Sequence, residues 1–156
     1  MSSASRVYSI EPLRNEDLVA AAQCIAIDAD AFPYASASFA LHSTSAFVWI
    51  AREPGNPQVV GFVATRARLR IVHLDGLAVD STRRRRGIGR ALLEELVEDS
   101  RARGMRAIAL HVSVANRAAI ALYADEGFVV EGRRPGFYPA TAFDTESDAY
   151  AMVLHL

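Results

Sequence analysis

The chain has 156 residues, 51% of them hydrophobic, and a formal net charge of −1. That length supports one domain with a sizeable core, and the composition excludes a disordered chain. Near-neutral bulk charge excludes polyanion binding by the surface as a whole; the single cysteine, Cys24, excludes an internal disulfide; and no run nears the roughly 18 apolar residues that span a bilayer.

All 17 basic residues are arginine and lysine is absent, which composition bias of a GC-rich genome explains. The first 18 residues have no apolar stretch of signal-peptide length. A reducing, cytoplasmic setting is the expectation, with residues 1–156 read as a single domain.

Residues 7–13 have strand composition and end at Pro12-Leu13. Asn15 reads as a helix N-cap, with Glu16 and Asp17 in the first turn of a helix over 16–32. Cys24 packs inside that helix. Pro33 breaks it, and residues 32–40 resume as a short helix. Residues 46–53 and 58–69 pair as a hairpin about the turn at 54–57. Residues 70–80 form a third central strand. After the run Arg83–Arg86, the residues Ile88, Leu92, Leu93, Leu96 and Val97 mark the apolar face of a helix that stops at Gly104. Residues 105–112 read as a buried strand. A helix over 116–126 follows, with Asn116 near its start and Gly127 after its end. Residues 128–134 and 148–156 close the chain as a hairpin.

This order predicts an α/β fold: a central mixed, mostly antiparallel sheet with one β-α-β crossover over 71–112. Such a crossover collects strand C-termini and helix N-termini at one edge, where anions bind. The stretch "RRRRGIGRALL" (83–93) lies there. Its glycines let backbone approach a ligand, its first helical turn offers unpartnered N–H groups, and its arginines add bidentate donors. The sum is a pyrophosphate cradle. It is neither a Walker loop nor a dinucleotide fingerprint, since no Gly-Lys-Ser/Thr follows and Leu92 replaces the third glycine.

Arg84-Arg85-Arg86-Gly87-Ile88-Gly89 matches the Arg/Gln-x-x-Gly-x-Gly/Ala signature, and "NRAAIALYADEGF" (116–128) matches Asn-x-x-Ala-x-x-x-Tyr-x-x-x-Gly-Phe. With both motifs the chain resembles the GCN5-related N-acetyltransferases (GNAT) over nearly its whole length. The resemblance implies the GNAT fold and acetyl-CoA as cosubstrate; no metal is expected, because the histidines fall on different elements and there is one cysteine. It implies that Arg84, Arg85, Arg86, Gly87, Ile88, Gly89 and Arg90 hold the pyrophosphate, and that the backbone of Leu77, Ala78 and Val79 pairs with the pantetheine arm. Asn116 would contact that arm, and Tyr123 would stand near the thiol as general acid.

Acetyl transfer needs a neutral amine, an oxyanion donor and a proton for the leaving thiolate. Many family members carry a glutamate on the strand before the phosphate loop or before the Asn helix; here those positions read as His73 and His111. By alternation His73 shares a face with Asp75, Leu77 and Val79, and His111 shares one with Ala109 and Ser113. Imidazole, with a pKa of about 6.5, is a competent base near neutrality. His111 is the expected base, directly or through water, with Asp75 or His73 assisting. His42 and His155 read as structural or surface.

Within the family the chain most resembles the bacterial ribosomal-protein alanine N-acetyltransferases, through "DAFPYASASF", "VANRAAIALY" and "RRPGFYPATAFDTESDAYAMVL". That implies a protein N-terminal α-amine as acceptor, with Phe32, Tyr34 and Tyr138 lining the acceptor site. The alternatives are a small-molecule amine N-acetyltransferase for polyamines, antibiotics or amino acids, and a non-catalytic acetyl-CoA-binding sensor. A nucleic-acid role for Arg83–Arg86 is disfavoured: the run ends in Gly-x-Gly and lacks interleaved aromatics. Membrane partners are not expected, and homodimers are common in the family. A functional reading of the missing lysine, that the enzyme cannot acetylate its own side chains, ranks below composition bias.

Overall fold

The computed structural model describes residues 7–32, 47–138 and 147–156. Its strands are β1 (Ser9–Pro12), β2 (Phe47–Arg52), β3 (Val59–Arg68), β4 (Ile71–Val79), β5 (Ala107–Ser113), β6 (Val129–Arg134) and β7 (Ala149–His155), and its helices are α1 (Leu18–Ala31), α2 (Ile88–Ala102) and α3 (Arg117–Asp125). They follow the expected order. The short helix expected over 32–40 lies outside the described residues apart from Phe32. One boundary is corrected: α1 is capped by Asp17, whose carboxylate accepts from the Ala20 amide at 2.9 Å, and not by Asn15. Asp17 stands three residues before the amide it caps, the spacing that places a side-chain oxygen over the first turn.

The sheet order is β1-β2-β3-β4-β5-β7-β6. Every neighbouring pair is antiparallel except β4 with β5. The last strand therefore inserts between β5 and β6, and β6 takes the edge. The parallel pair is joined by α2, as the crossover pattern requires.

Two apolar clusters sandwich the sheet. α2 buries Ile88, Leu92, Leu93 and Leu96 against Val60, Val63, Val72, Leu74, Ile108 and Leu110, and α3 adds Tyr123 to the same side. Each fully buried leucine there contributes about 2 kcal/mol. On the other face, α1 packs Ala20, Cys24 and Ile27 against Val48, Ile50, Phe62, Ala64 and Ala78. At Gly61 the approach of α2 is too close for a side chain: a Cβ there would stand 3.0 Å from Ile88 Cγ2 and 3.1 Å from the Ala78 carbonyl. That contact seats the first turn of α2 on the sheet.

The β3–β4 register slips once. Thr65 pairs with Leu74 but Ala64 pairs with Gly76, so Asp75 is an extra residue, a β-bulge. Before it, Val72 and Leu74 face α2; after it, Leu77 and Val79 do. His73 and Asp75 therefore lie on the opposite face from Leu77 and Val79. Strict alternation over 73–79 is corrected on this point, because one inserted residue reverses the phase of a period-two pattern. For β5 alternation holds, since Ile108, Leu110 and Val112 face α2 and leave Ala109, His111 and Ser113 on the other side.

Candidate active site

Register pairs between β4 and β5 run from Ile71–Ala107 to Leu74–Leu110 and stop. Beyond that point β4 continues to Val79 against β3, and β5 continues to Ser113 against β7. Leu77, Ala78 and Val79 thus line the open side of a gap, with β5 residues 111–113 across it. A strand edge of this kind offers backbone donors and acceptors to an extended ligand.

The loop from Asp80 to Gly87, expected from its sequence to hold phosphate, closes one end of the gap. Asp80 caps a 3-10 turn, Ser81–Arg83, and the Thr82 hydroxyl and amide, both donating to it, hold its carboxyl below the usual range. The backbone then alternates in hand: Arg84 is extended, Arg85 has φ 66° and Gly87 has φ 82°. Left-handed geometry is strained for Arg85, and backbone of mixed hand gathers N–H groups into an anion-binding nest. Gly87 caps α2 with no side-chain cap bond, and the first helical bond is Ala91 N–H to the Gly87 carbonyl at 3.0 Å. The amides of Ile88, Gly89 and Arg90 precede it and have no acceptor within the helix. Gly89 has an ordinary helical backbone, and a Cβ there would make only normal contacts of 3.5–3.8 Å. Neither packing nor conformation demands glycine at 89, whereas close approach by a ligand would.

The arginines divide their work. Of the run Arg83–Arg86, Arg83 is the most anchored: its guanidinium meets Glu53 at 3.0 Å and Asp80 at 3.6 Å. Arg86 stands 3.8 Å from Glu53, and Arg84 stands 3.8 Å from Asp30 at the end of α1. Arg85 is exposed. The Arg90 side chain reaches α3, meeting Asp125 at 3.2 Å and Glu126 at 3.0 Å, so only its amide is left for the cradle.

Acid and base candidates flank the gap on opposite faces of the sheet. Tyr123 is buried with the α2–α3 cluster, 5.6 Å from the Phe128 ring. Burial first, then Tyr138, pushes its phenol well above the usual value, so it stays protonated at working pH. His111 is on the other face, open to solvent in part and desolvated in part where it stacks on Phe137 at 4.5 Å and 18°. Burial first, then Arg134 and His73, lowers its pKa below 6.5, which leaves the imidazole neutral and able to accept a proton near pH 7. His73 stands one strand away, its Cα opposite Ala109. Asp75 is committed to Arg66 in a two-point pair at 2.6 and 2.9 Å. Asn116 caps α3, accepting from the Ala119 amide at 3.2 Å.

On the side expected to take the acceptor, Phe137 packs edge-on against Tyr138 at 4.9 Å and 84°. Burial raises the Tyr138 phenol. The loop carrying this pair is fixed at its base by Asp148, which accepts from the Gly136 amide at 2.9 Å and from Arg133 at 2.8 Å. Phe32 follows α1 and packs partly against the α1 cluster. Tyr34 and His42 lie outside the described residues. Arg66 and Arg134 were missed by sequence reasoning, because nothing local ties either to its partner across the sheet.

No helix among the described residues is long and apolar enough to cross a membrane, and no group of three His, Cys, Asp or Glu side chains there could hold a metal ion. A splayed parallel pair, a glycine-rich helix start at its mouth and a buried tyrosine beside it define an acetyl-CoA-dependent acyltransferase. A family profile described as "Acetyltransferase (GNAT) family" matches residues 10–128, and the chain belongs to that family. It is an N-acetyltransferase with acetyl-CoA as cosubstrate. Among particular proteins it is similar to the [Ribosomal protein bS18]-alanine N-acetyltransferase of Escherichia coli K12, 36% identical over 146 residues that cover 94% of this chain and 96% of that protein. The crystal structure of the Escherichia coli ribosomal-protein-S18-alanine N-acetyltransferase superposes with a TM-score of 0.80 at 34% identity, over 95% of this chain and 93% of that one. Arabidopsis thaliana NAA60 in complex with a bisubstrate analogue gives 0.80 at 26% identity, over 95% and 97%.

Proposed function

We propose that the protein transfers acetyl from acetyl-CoA to the α-amine of a protein N-terminus, acting as one domain over 1–156. The observation that carries this reading is the likeness, across nearly all of both chains, to an enzyme that acetylates a ribosomal-protein alanine. The aromatic rim supports it: His111 stacks on Phe137, which meets Tyr138 edge-on, and the three form one wall, suited to an extended peptide end.

The loop amides and nearby guanidiniums hold the diphosphate, and the open edge of β4 hydrogen-bonds the pantetheine arm. Asn116 contacts that arm while capping α3. Neutral His111 takes the ammonium proton, directly or through water; an α-amine of pKa about 8 needs only modest help. The freed amine attacks the thioester carbonyl. The protonated Tyr123 hydroxyl then donates to the departing sulfur. His73 supports His111 by electrostatics, opposing its protonation. Asp75, held by Arg66, shapes the wall.

Thiol release from acetyl-CoA, measured with peptides of varied N-terminus beside spermidine, aminoglycosides and free amino acids, tests this. Peptides beginning with Ala or Ser are expected to turn over fastest. Inert peptides alongside a rapidly acetylated small amine would overturn the reading.

A further inference from the structure

We propose that Tyr8 is a positioning residue for the phosphate loop: its hydroxyl orients the peptide between Arg86 and Gly87 so that the Gly87 N–H is presented to the cosubstrate diphosphate. The inference rests on the reading of that loop as the diphosphate site.

The Tyr8 hydroxyl donates to the Arg86 carbonyl at 2.9 Å, across 78 residues of chain. Its ring packs on the cluster beneath α2, so the hydroxyl that holds the carbonyl is itself anchored, while the bond lies at the surface. The peptide is trans. In a planar trans peptide the C=O of one residue and the N–H of the next point in opposite directions. Holding the Arg86 carbonyl toward Tyr8 therefore turns the Gly87 N–H away from Tyr8, and it joins the amides of Ile88, Gly89 and Arg90 as a donor for the diphosphate.

The loop needs such a tie. Arg85 is left-handed at φ 66°, a conformation that surroundings must impose on a residue with a Cβ. Gly87 caps α2 without a side-chain bond. Upstream, Asp80 and Thr82 pin the start of the loop; around Arg84 and Arg86 the side-chain restraints are ion pairs to Asp30 and Glu53. Those charges would rearrange when a diphosphate arrives, whereas a neutral hydroxyl on a carbonyl would not. Tyr8 thus fixes the backbone while the guanidiniums are free to move. No local sequence pattern marks this role, because the partner is a main-chain atom in a distant loop.

The test is Tyr8→Phe, which keeps the ring and its packing. CoA binding to the ligand-free protein is followed by calorimetry, beside steady-state kinetics. A lost hydrogen bond predicts a Kd for CoA and a KM for acetyl-CoA raised about three- to tenfold. The kcat, the KM for the acceptor and the melting temperature without CoA are expected to stay unchanged. An unchanged Kd would overturn the proposal. So would a fall in ligand-free melting temperature together with kcat, since that marks a purely structural residue. If the unsubstituted protein binds no CoA, the reading of the loop itself fails, and Tyr8 loses its role with it.

Discussion

At the scale of single residues, His111 is neutral at lower pH than a free imidazole, because burial, Arg134 and His73 all disfavour its charge. The base form therefore persists below pH 6.5 and is lost as pH falls through the lowered value. Acetyl-transfer profiles against pH are expected to show an acid limb with its midpoint under 6.5. His111→Gln is expected to abolish that limb and lower kcat by about 10²-fold. The same shift makes the folded chain bind fewer protons than the unfolded chain just below pH 6.5, so this group's contribution to stability grows as pH rises to that point and is flat above it. Tyr123→Phe removes one oxygen and leaves the ring against Phe128. It is expected to cut kcat about 10²-fold with CoA affinity intact, read by single-turnover kinetics beside calorimetry. Cys24 is fully buried, and burial pushes its thiol up to about 12. Iodoacetamide at pH 8 is expected to leave it unmodified in the native protein and to label it in denaturant, as thiolate chemistry requires.

At the scale of elements, two contacts decide where the site's walls stand. Gly61→Ala would force a methyl against Ile88, Leu92 and the Ala78 carbonyl. Overpacking of this kind costs about 1–3 kcal/mol, and because the displaced part of α2 carries the phosphate loop, CoA affinity should fall with stability in denaturant titrations. Asp148 works on the opposite wall. The Gly136 amide and Arg133 lower its carboxyl pKa, and together they hold the base of the Phe137–Tyr138 loop. Asp148→Ala is expected to raise the acceptor KM several-fold while the Kd for CoA stays put. The sequence announced most of the elements, because apolar spacing and glycine stops are local signals: the α2 face and both helix stops lie where the pattern put them. Its reading of faces failed on β4, where the single added residue Asp75 reverses the alternation without altering composition. The half of the site proposed for the cofactor stood out in the sequence because it is built from one contiguous loop. The acceptor half was less so, since the stacking of His111 on Phe137 and the pairing of Asp75 with Arg66 join residues from separate strands and turns.

At the scale of the whole molecule, the sheet is two unequal blocks, β1 to β4 and β5-β7-β6, whose register pairs run from Ile71–Ala107 to Leu74–Leu110. Hydrogen exchange should be quicker at residues 75–79 and 111–113 than at residues 71–74 and 107–110, and CoA should slow it selectively in the first two stretches. The half-open seam has a thermodynamic corollary. A molecule that fills it binds the folded chain and not the unfolded one, so at a hundred times its Kd it adds about 2.7 kcal/mol to stability. For a chain of this size that is a rise of roughly 5–10 °C in melting temperature. The lifetime of the protein against heat and proteases should then follow the supply of its own acetyl donor, and a cell short of that metabolite would hold less of the enzyme as well as running it more slowly.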